Sequence, residues 1–211
     1  MRRMIVAAVT LVILALSGQS PAGAAQPVAM IDLDGAITPV TARLLTAAIE
    51  RAQAERAQAL IVRLNTPGGL ERSMRTMAQT ILNSEIPVIV YLAPTGARAA
   101  SAGVFITMAA HVAAMAPATN IGAAHPVAIG GEMGKEIGKK VENDAAAFAR
   151  SMAAERGRNV EWAEKAVRAS VSVTEREAVK LKVVDLVADN VADLLAKVDG
   201  RTVKTARGHV T

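Results

Sequence analysis

Short apolar runs alternate with stretches of helical period through the first half of the chain. VAMIDL at 28–33 is closed by Asp34 and Gly35, and a helical pattern follows over 39–54, so a strand and then a helix are predicted. Thr38 is placed to accept from the free amides of the first turn. Pro39 takes the first helical position, where its missing N–H costs nothing. The unit then recurs. ALIVRLN at 59–65 reads as a second buried strand, TPGG turns the chain, 70–84 is helical, and PVIVYLA at 87–93 is a third strand. Three apolar strands separated by helical patterns predict a parallel sheet covered by helices, an α/β fold.

The period breaks after the third strand. GARAASAG at 96–103 is built almost wholly of small residues, and VFITMAA behind it fits a buried helix or a strand equally. Residues 111–127 contain a further short strand and a turn. AIGGEMGKEIG at 128–138 has four Gly and no period, which predicts a mobile loop. From Lys139 onward the pattern is mainly helical, with segments to about 155, over 160–169, and from Thr174, where Thr174 and Glu177 form a capping box. VVDLVA at 183–188 reads as a strand, NVADLLAKV as a last helix, and the tail after Gly200 is polar.

Composition narrows this picture. Of 211 residues 52% are hydrophobic but only 2% aromatic, so one domain is expected, its core built from Ala, Val, Leu, Ile and Met. The absence of Cys removes disulfides, thiolate nucleophiles and Cys-ligated metals together. Net charge is +5, yet no run of Lys and Arg accompanies aromatic residues as a nucleic-acid groove requires, so no nucleic-acid partner is expected. The three His are dispersed and no H-E-x-x-H pattern occurs; neither a metal nor a cofactor is expected. Residues 1–25 carry Arg2 and Arg3, an apolar stretch from Met4 to Leu16, then Ala22, Gly23, Ala24 and Ala25. That order is a secretory signal peptide cut after Ala24 or Ala25, and its apolar stretch falls short of the roughly 20 residues that span a bilayer.

The residues that could carry chemistry are a Gly-Gly turn, a Ser among small neighbours, and a Lys or His further along. Gly68 and Gly69 follow a strand and precede a helix, so they serve either as an ordinary turn or as oxyanion donors aimed from a helix N-terminus. Ser101 lies between Ala100 and Ala102, either as a helix cap or as a nucleophile that a base must activate. His125 is the one His placed to be that base, since His209 lies in the polar tail and His111 introduces a buried strand. The other route is a desolvated Lys. Val141, Ala145, Phe148 and Met152 predict the core stripe of the helix after Lys139. On that phase Lys140 borders the stripe and can flank a site, whereas Lys139 points to water.

LNTPGG (64–69), GARAASAG (96–103), AMAPATNIGAAHPV (114–127), KVENDAAAF (140–148) and RGRNVEWAEKAVRASVS (156–172) together resemble the protease domain of the nodulation-efficiency-D family. These are membrane-bound serine proteases of the ClpP class, partners of stomatin in its operon. The likeness runs over about 28–200. It implies Ser101 as nucleophile, Lys140 as general base, Gly68 and Gly69 as the oxyanion turn, and a ClpP/crotonase-like spiral of ββα units. It further implies a homodimer and cleavage of hydrophobic segments near the C-terminus of a stomatin-like partner. Many members continue into transmembrane helices and a small OB-type barrel, so the expectation for 26–211 is the protease domain alone. The Gly-rich 128–138 matches no motif, and as a loop it is expected to close over Lys140 when substrate binds. Two other functions share this fold: a crotonase-type acyl-CoA enzyme, which needs neither an exported chain nor Lys140, and a catalytically idle scaffold for a membrane partner.

Overall fold

The structure is a computed structural model and describes residues 27–127 and 134–211. The signal peptide expected at 1–25 and most of the expected loop lie outside the described residues.

The first half forms as the alternating pattern predicts. Strand β1 (Val28–Asp34) leads to helix α1 (Pro39–Ala54), β2 (Ala59–Asn65) to α2 (Glu71–Leu82), and β3 (Val88–Leu92) follows. Thr38 caps α1 with Pro39 in its first turn, and Thr41 completes a capping box. The small-residue segment resolves into a two-residue strand β4 (Arg98–Ala99) and helix α3 (Ala102–Ala109), which decides VFITMAA as helix. Residues 111–127 hold two strands rather than one, β5 (Val112–Met115) and β6 (Asn120–Gly122). Beyond them come α4 (Lys135–Glu155), α5 (Val160–Arg168), β7 (Ser172–Thr174), α6 (Glu175–Lys180), β8 (Leu186–Val187), α7 (Val191–Val198), β9 (Val203–Thr205) and β10 (Gly208–Val210). The Thr174–Glu177 box opens α6 as expected. The strand expected over 183–188 shortens to β8, and the polar tail folds into an antiparallel hairpin.

One correction bears on the site. Helix α4 begins at Lys135, with Gly138 N–H donating to Gly134 O at 2.9 Å, so 135–138 are its first turn and not the end of a loop. Glycine composition concealed a turn whose hydrogen bonds need no side chain.

The main sheet has five strands in the order β1-β2-β3-β5-β8, all pairs parallel. Parallel strands covered on both faces lose their alternation, and every residue of β3 is buried. The face bearing Leu60, Val62 and Leu64 joins Leu45, Met77, Ile81 and Ile106 in the larger core. The opposite face, with Ile61, Ile89 and Tyr91, packs on Leu194 and Leu195 of α7. At the C-terminal ends of the strands stands a second sheet, β4-β6-β7, joined to the first through the bridge Thr66–Ala99, while the bridge Ile37–Gly69 links the segments that follow β1 and β2. This is the ClpP/crotonase-like arrangement. It gathers the ends of β1, β2 and β3 where ligands of parallel α/β sheets bind.

Candidate active site

After β2 the chain makes a tight turn fastened from within. Thr66 is fully buried, and its Oγ1 accepts from Gly68 N–H at 3.0 Å and donates to Gly68 O at 3.2 Å. Thr66 N–H donates to Arg98 O and Ala100 N–H donates to Thr66 O, which ties the turn to β4. On its other side Ile37 N–H donates to Gly68 O and Leu70 N–H donates to Ile37 O. In that pairing the N–H of Gly69 faces away from Ile37. Of the two amides expected to point outward, Gly68's is committed to Thr66, while Gly69's has no acceptor among the described residues.

Ser101 stands at the junction of β4 and α3 with φ 50° and ψ −113°, a left-handed backbone that non-Gly residues rarely hold and that marks functional turns. Its N–H donates to Ala123 O at 2.6 Å, and its side chain makes no cap hydrogen bond to α3. Among the described residues the Oγ has no hydrogen-bond partner. The next amide, Ala102 N–H at the first position of α3, also lacks an acceptor among the described residues. The small neighbours have a steric cause. A Cβ on Gly68 would sit 2.6 Å from Ser101 Cβ, and one on Gly103 would sit 2.7 Å from Thr66 Cγ2 and 3.1 Å from Ala99 Cβ. Any larger residue pushes α3 off the turn. Ser101 and the Gly-Gly turn are thus in contact, and Ala102 N–H joins Gly69 N–H as a donor that composition could not reveal. Its one signal is position, directly after a candidate nucleophile at a strand-to-helix turn.

Lys140 lies in the second turn of α4, exposed, with no hydrogen bond or ion pair among the described residues. Its neighbours differ from expectation. The buried row of α4 is Ala145, Ala146, Ala149, Met152 and Ala153, while Val141 and Phe148 are only half-buried. The alanines of α4 share one core with Trp162, Ala163, Ala166 and Val167 of α5, so the buried stripe follows these small residues and not the bulkier Val and Phe. On this phase Lys140 lies about 180° from the centre of the buried row, so it does not border the stripe as expected but stands on the exposed face in one row with Asp144 and Phe148, while Lys139 falls beside Glu142 and Asn143, which Arg168 of α5 engages.

The His residues separate clearly. His125 is exposed, and its Nδ1 lies 3.0 Å from Val167 O at the end of α5. His111 is buried: Val88 N–H donates to its Nδ1 at 3.1 Å, and burial together with Arg156 and Arg158 pushes its pKa down to about 3. Among the described residues no group of three or more His, Asp and Glu side chains could hold a metal ion.

The family model for the N-terminal domain of NfeD1b matches residues 27–204. The chain belongs to that family. Membrane-bound protease PH1510 of Pyrococcus horikoshii is 38% identical over 206 residues, which cover 97% of this chain and 46% of that protein. Membrane protein NfeD1b of Bacillus subtilis is 37% identical over 99 residues, 47% of this chain and 22% of the relative. The chain thus spans less than half the length of either curated relative. Among solved structures, a serine-to-alanine variant of the 1510-N membrane-bound stomatin-specific protease superposes with a TM-score of 0.82 at 36% identity, covering 89% of this chain and 92% of that one. A lysine-to-alanine variant of the same protease, in complex with a substrate peptide, also gives 0.82 at 36% identity, covering 89% and 88%. The two are forms of one protease, the first varied at a serine and the second at a lysine. Among the described residues no helix is long and apolar enough to cross a membrane.

Proposed function

We propose that this NfeD-type domain is a serine endopeptidase with a Ser-Lys dyad. Ser101 Oγ attacks the scissile carbonyl while the neutral amine of Lys140 takes its proton. The oxyanion is held by the amides of Gly69 and Ala102, and Gly68 supplies the space in which the Ser101 side chain stands. Collapse expels the leaving amine, which recovers the proton from Lys140, and water then hydrolyses the acyl-enzyme. The observation that carries this reading is the strained Ser101 backbone beside the Gly69 and Ala102 amides, with neither those amides nor the hydroxyl hydrogen-bonded among the described residues. A lysine serves as base only when its charge is disfavoured, so an apolar substrate lying over Lys140 is part of the mechanism.

The substrate class is an apolar segment of a membrane-associated protein, with a stomatin-like partner as the leading case. Two observations support it. The solved relative is a stomatin-specific protease. Exposed Leu70, Val127 and Ile137 also lie in the segments that carry Gly69, His125 and Lys140, where an apolar peptide would cover them. Export through the leader at 1–25 sets the domain on the extracytoplasmic side of a membrane, and a homodimer is the assembly that the family resemblance implies.

The test ranks the two candidate bases. Lys140→Ala is expected to lower turnover of an apolar peptide by several orders of magnitude, and His125→Ala by less than tenfold, because members of a cooperating dyad act as a unit. The opposite ranking replaces the lysine by a histidine base.

A further inference from the structure

Asn143 and Asp144 belong to the KVENDAAAF stretch that marks the family likeness, yet neither has a part in the reaction above. Asp144 is paired with Arg75 of α2, the helix that starts directly after Gly69 and Leu70. The Arg75 guanidinium also donates to Glu71 at 2.7 Å and lies 4.6 Å from the centre of the Phe148 ring. Phe148 also stacks on Phe105, with ring centres 6.1 Å apart and planes 19° from parallel. Phe105 lies one turn beyond Ser101 on α3. The chain contains only two Phe, and both are used in this contact. Three elements therefore meet at one point: α2 behind the oxyanion turn, α3 behind the nucleophile, and α4, which carries Lys140 one turn before Asp144.

Helical geometry extends the argument to Lys140. Successive residues four apart advance by about 40°, so Lys140, Asp144 and Phe148 climb one side of α4, the side Arg75 holds. On the opposite side Arg168 donates to Glu142 at 3.1 Å and to Asn143 at 2.8 Å. Helix α4 is gripped from both sides directly after Lys140. Its first turns, from Lys135 to Val141, make no ion pair among the described residues. The direction of the segment that bears Lys140 is set at the grip.

We infer that Arg75, Asp144, Phe105 and Phe148 form a positioning joint that registers the Lys140 helix against Ser101. This rests on Lys140 as the base. The joint is built for geometry more than for stability: Asp144 is well exposed, and a bridge of that kind, like a cation over a partly open ring, adds little to folding. Misplacing a reacting group by an ångström, in contrast, costs about a hundredfold in rate.

The experiment follows the labelling of Ser101 by a fluorophosphonate, read by intact mass, in the full chain and in Arg75→Met, Arg75→Lys, Phe148→Leu, Lys140→Ala and the Lys140→Ala/Arg75→Met pair. Reagent is raised until the Lys140→Ala protein labels measurably. Arg75→Met and Phe148→Leu are expected to label at least tenfold more slowly than the parent while melting within a few degrees of it. Arg75→Lys is expected to recover most of the rate, and Arg75→Met is expected to add nothing further once Lys140 is gone. If Arg75→Met and Phe148→Leu label at the parent rate, or if Arg75→Met slows the Lys140→Ala protein by the same factor as the parent, the joint does not act through Lys140. If Lys140→Ala itself labels at the parent rate, the lysine reading falls and the joint with it, an outcome distinct from the first two.

Discussion

Ser101 and Gly68 depend on each other sterically, since a Cβ added at Gly68 meets Ser101 Cβ at 2.6 Å and the backbone there has φ +114°. Gly68→Ala is expected to displace the hydroxyl and cut turnover at least a hundredfold, with a stability loss of about 1–3 kcal/mol from the strained conformation. A variant that turns over normally contradicts the contact between turn and nucleophile. His111 supplies a second prediction at this scale. Its folded pKa, about 3, lies below the ordinary value of 6.5, so the unfolded chain binds a proton that the native protein refuses. Stability is fully present above pH 6.5 and falls as the pH drops toward 3, at up to about 1.4 kcal/mol per unit. Denaturant melts between pH 7 and 4.5 should show that slope, and His111→Gln should flatten it. Ser101, Lys140 and the Gly pair could be singled out as candidates in the sequence because their residue types are ones this chemistry uses, and the structure sets Gly68 against Ser101. The Ala102 amide and Arg75 were not, since a backbone donor leaves no mark on composition and a positioning side chain acts only through its place in space.

Helix α3 shows how an element can be specified at both ends without a side-chain cap. It is buried along its whole length, and buried helix ends must satisfy their free carbonyls. Arg158 donates to Met108 O at 2.9 Å and Ala110 O at 2.8 Å, and Arg156 Nε donates to Ala109 O at 2.9 Å. Two cations at a helix C-terminus also complement its dipole. Arg158 pairs with Asp185 at 2.8 Å, so Arg158→Met leaves two carbonyls without this donor and takes the near cation from a carboxylate that keeps the Ala113 N–H at 2.7 Å and Arg201 at 3.8 Å. It is expected to cost about 3–5 kcal/mol in urea unfolding, and a loss below about 1 kcal/mol contradicts this role. Elements of this kind divide by length in what the sequence reveals. The strand–helix pairs from β1 to β3 have clear period and punctuation and were legible nearly to the residue. Strands β4, β6, β7 and β8 have two or three residues, too few for any period, and exist because neighbouring backbones complete them. The phase of α4 was misread because apolar Val141 and Phe148 outweigh alanines on a hydropathy pattern, whereas close packing on α5 selects the alanines.

Across the whole molecule, the second sheet at the strand ends brings Gly69, Ser101 and the Ala123–His125 segment together from positions far apart in the chain. The alternating pattern predicted the parallel sheet but not that closure, which depends on the short strands. Family resemblance implied it, together with the roles proposed for Ser101 and Lys140. Export is the other molecular claim: the mature protein is expected to begin at Ala25 or Gln26, which N-terminal sequencing of the membrane and secreted fractions reads directly, and a mature chain starting at Met1 makes the segment an anchor instead. The central claim is that Ser101 cleaves apolar polypeptide, and peptides spanning apolar tails of stomatin-like proteins, incubated with the mature protein and with its Ser101→Ala variant, test it most directly by mass spectrometry of the products. Discrete cuts within the apolar segment, made by the parent and not by Ser101→Ala, are predicted; intact peptides with both proteins, or equal cutting by both, would contradict it.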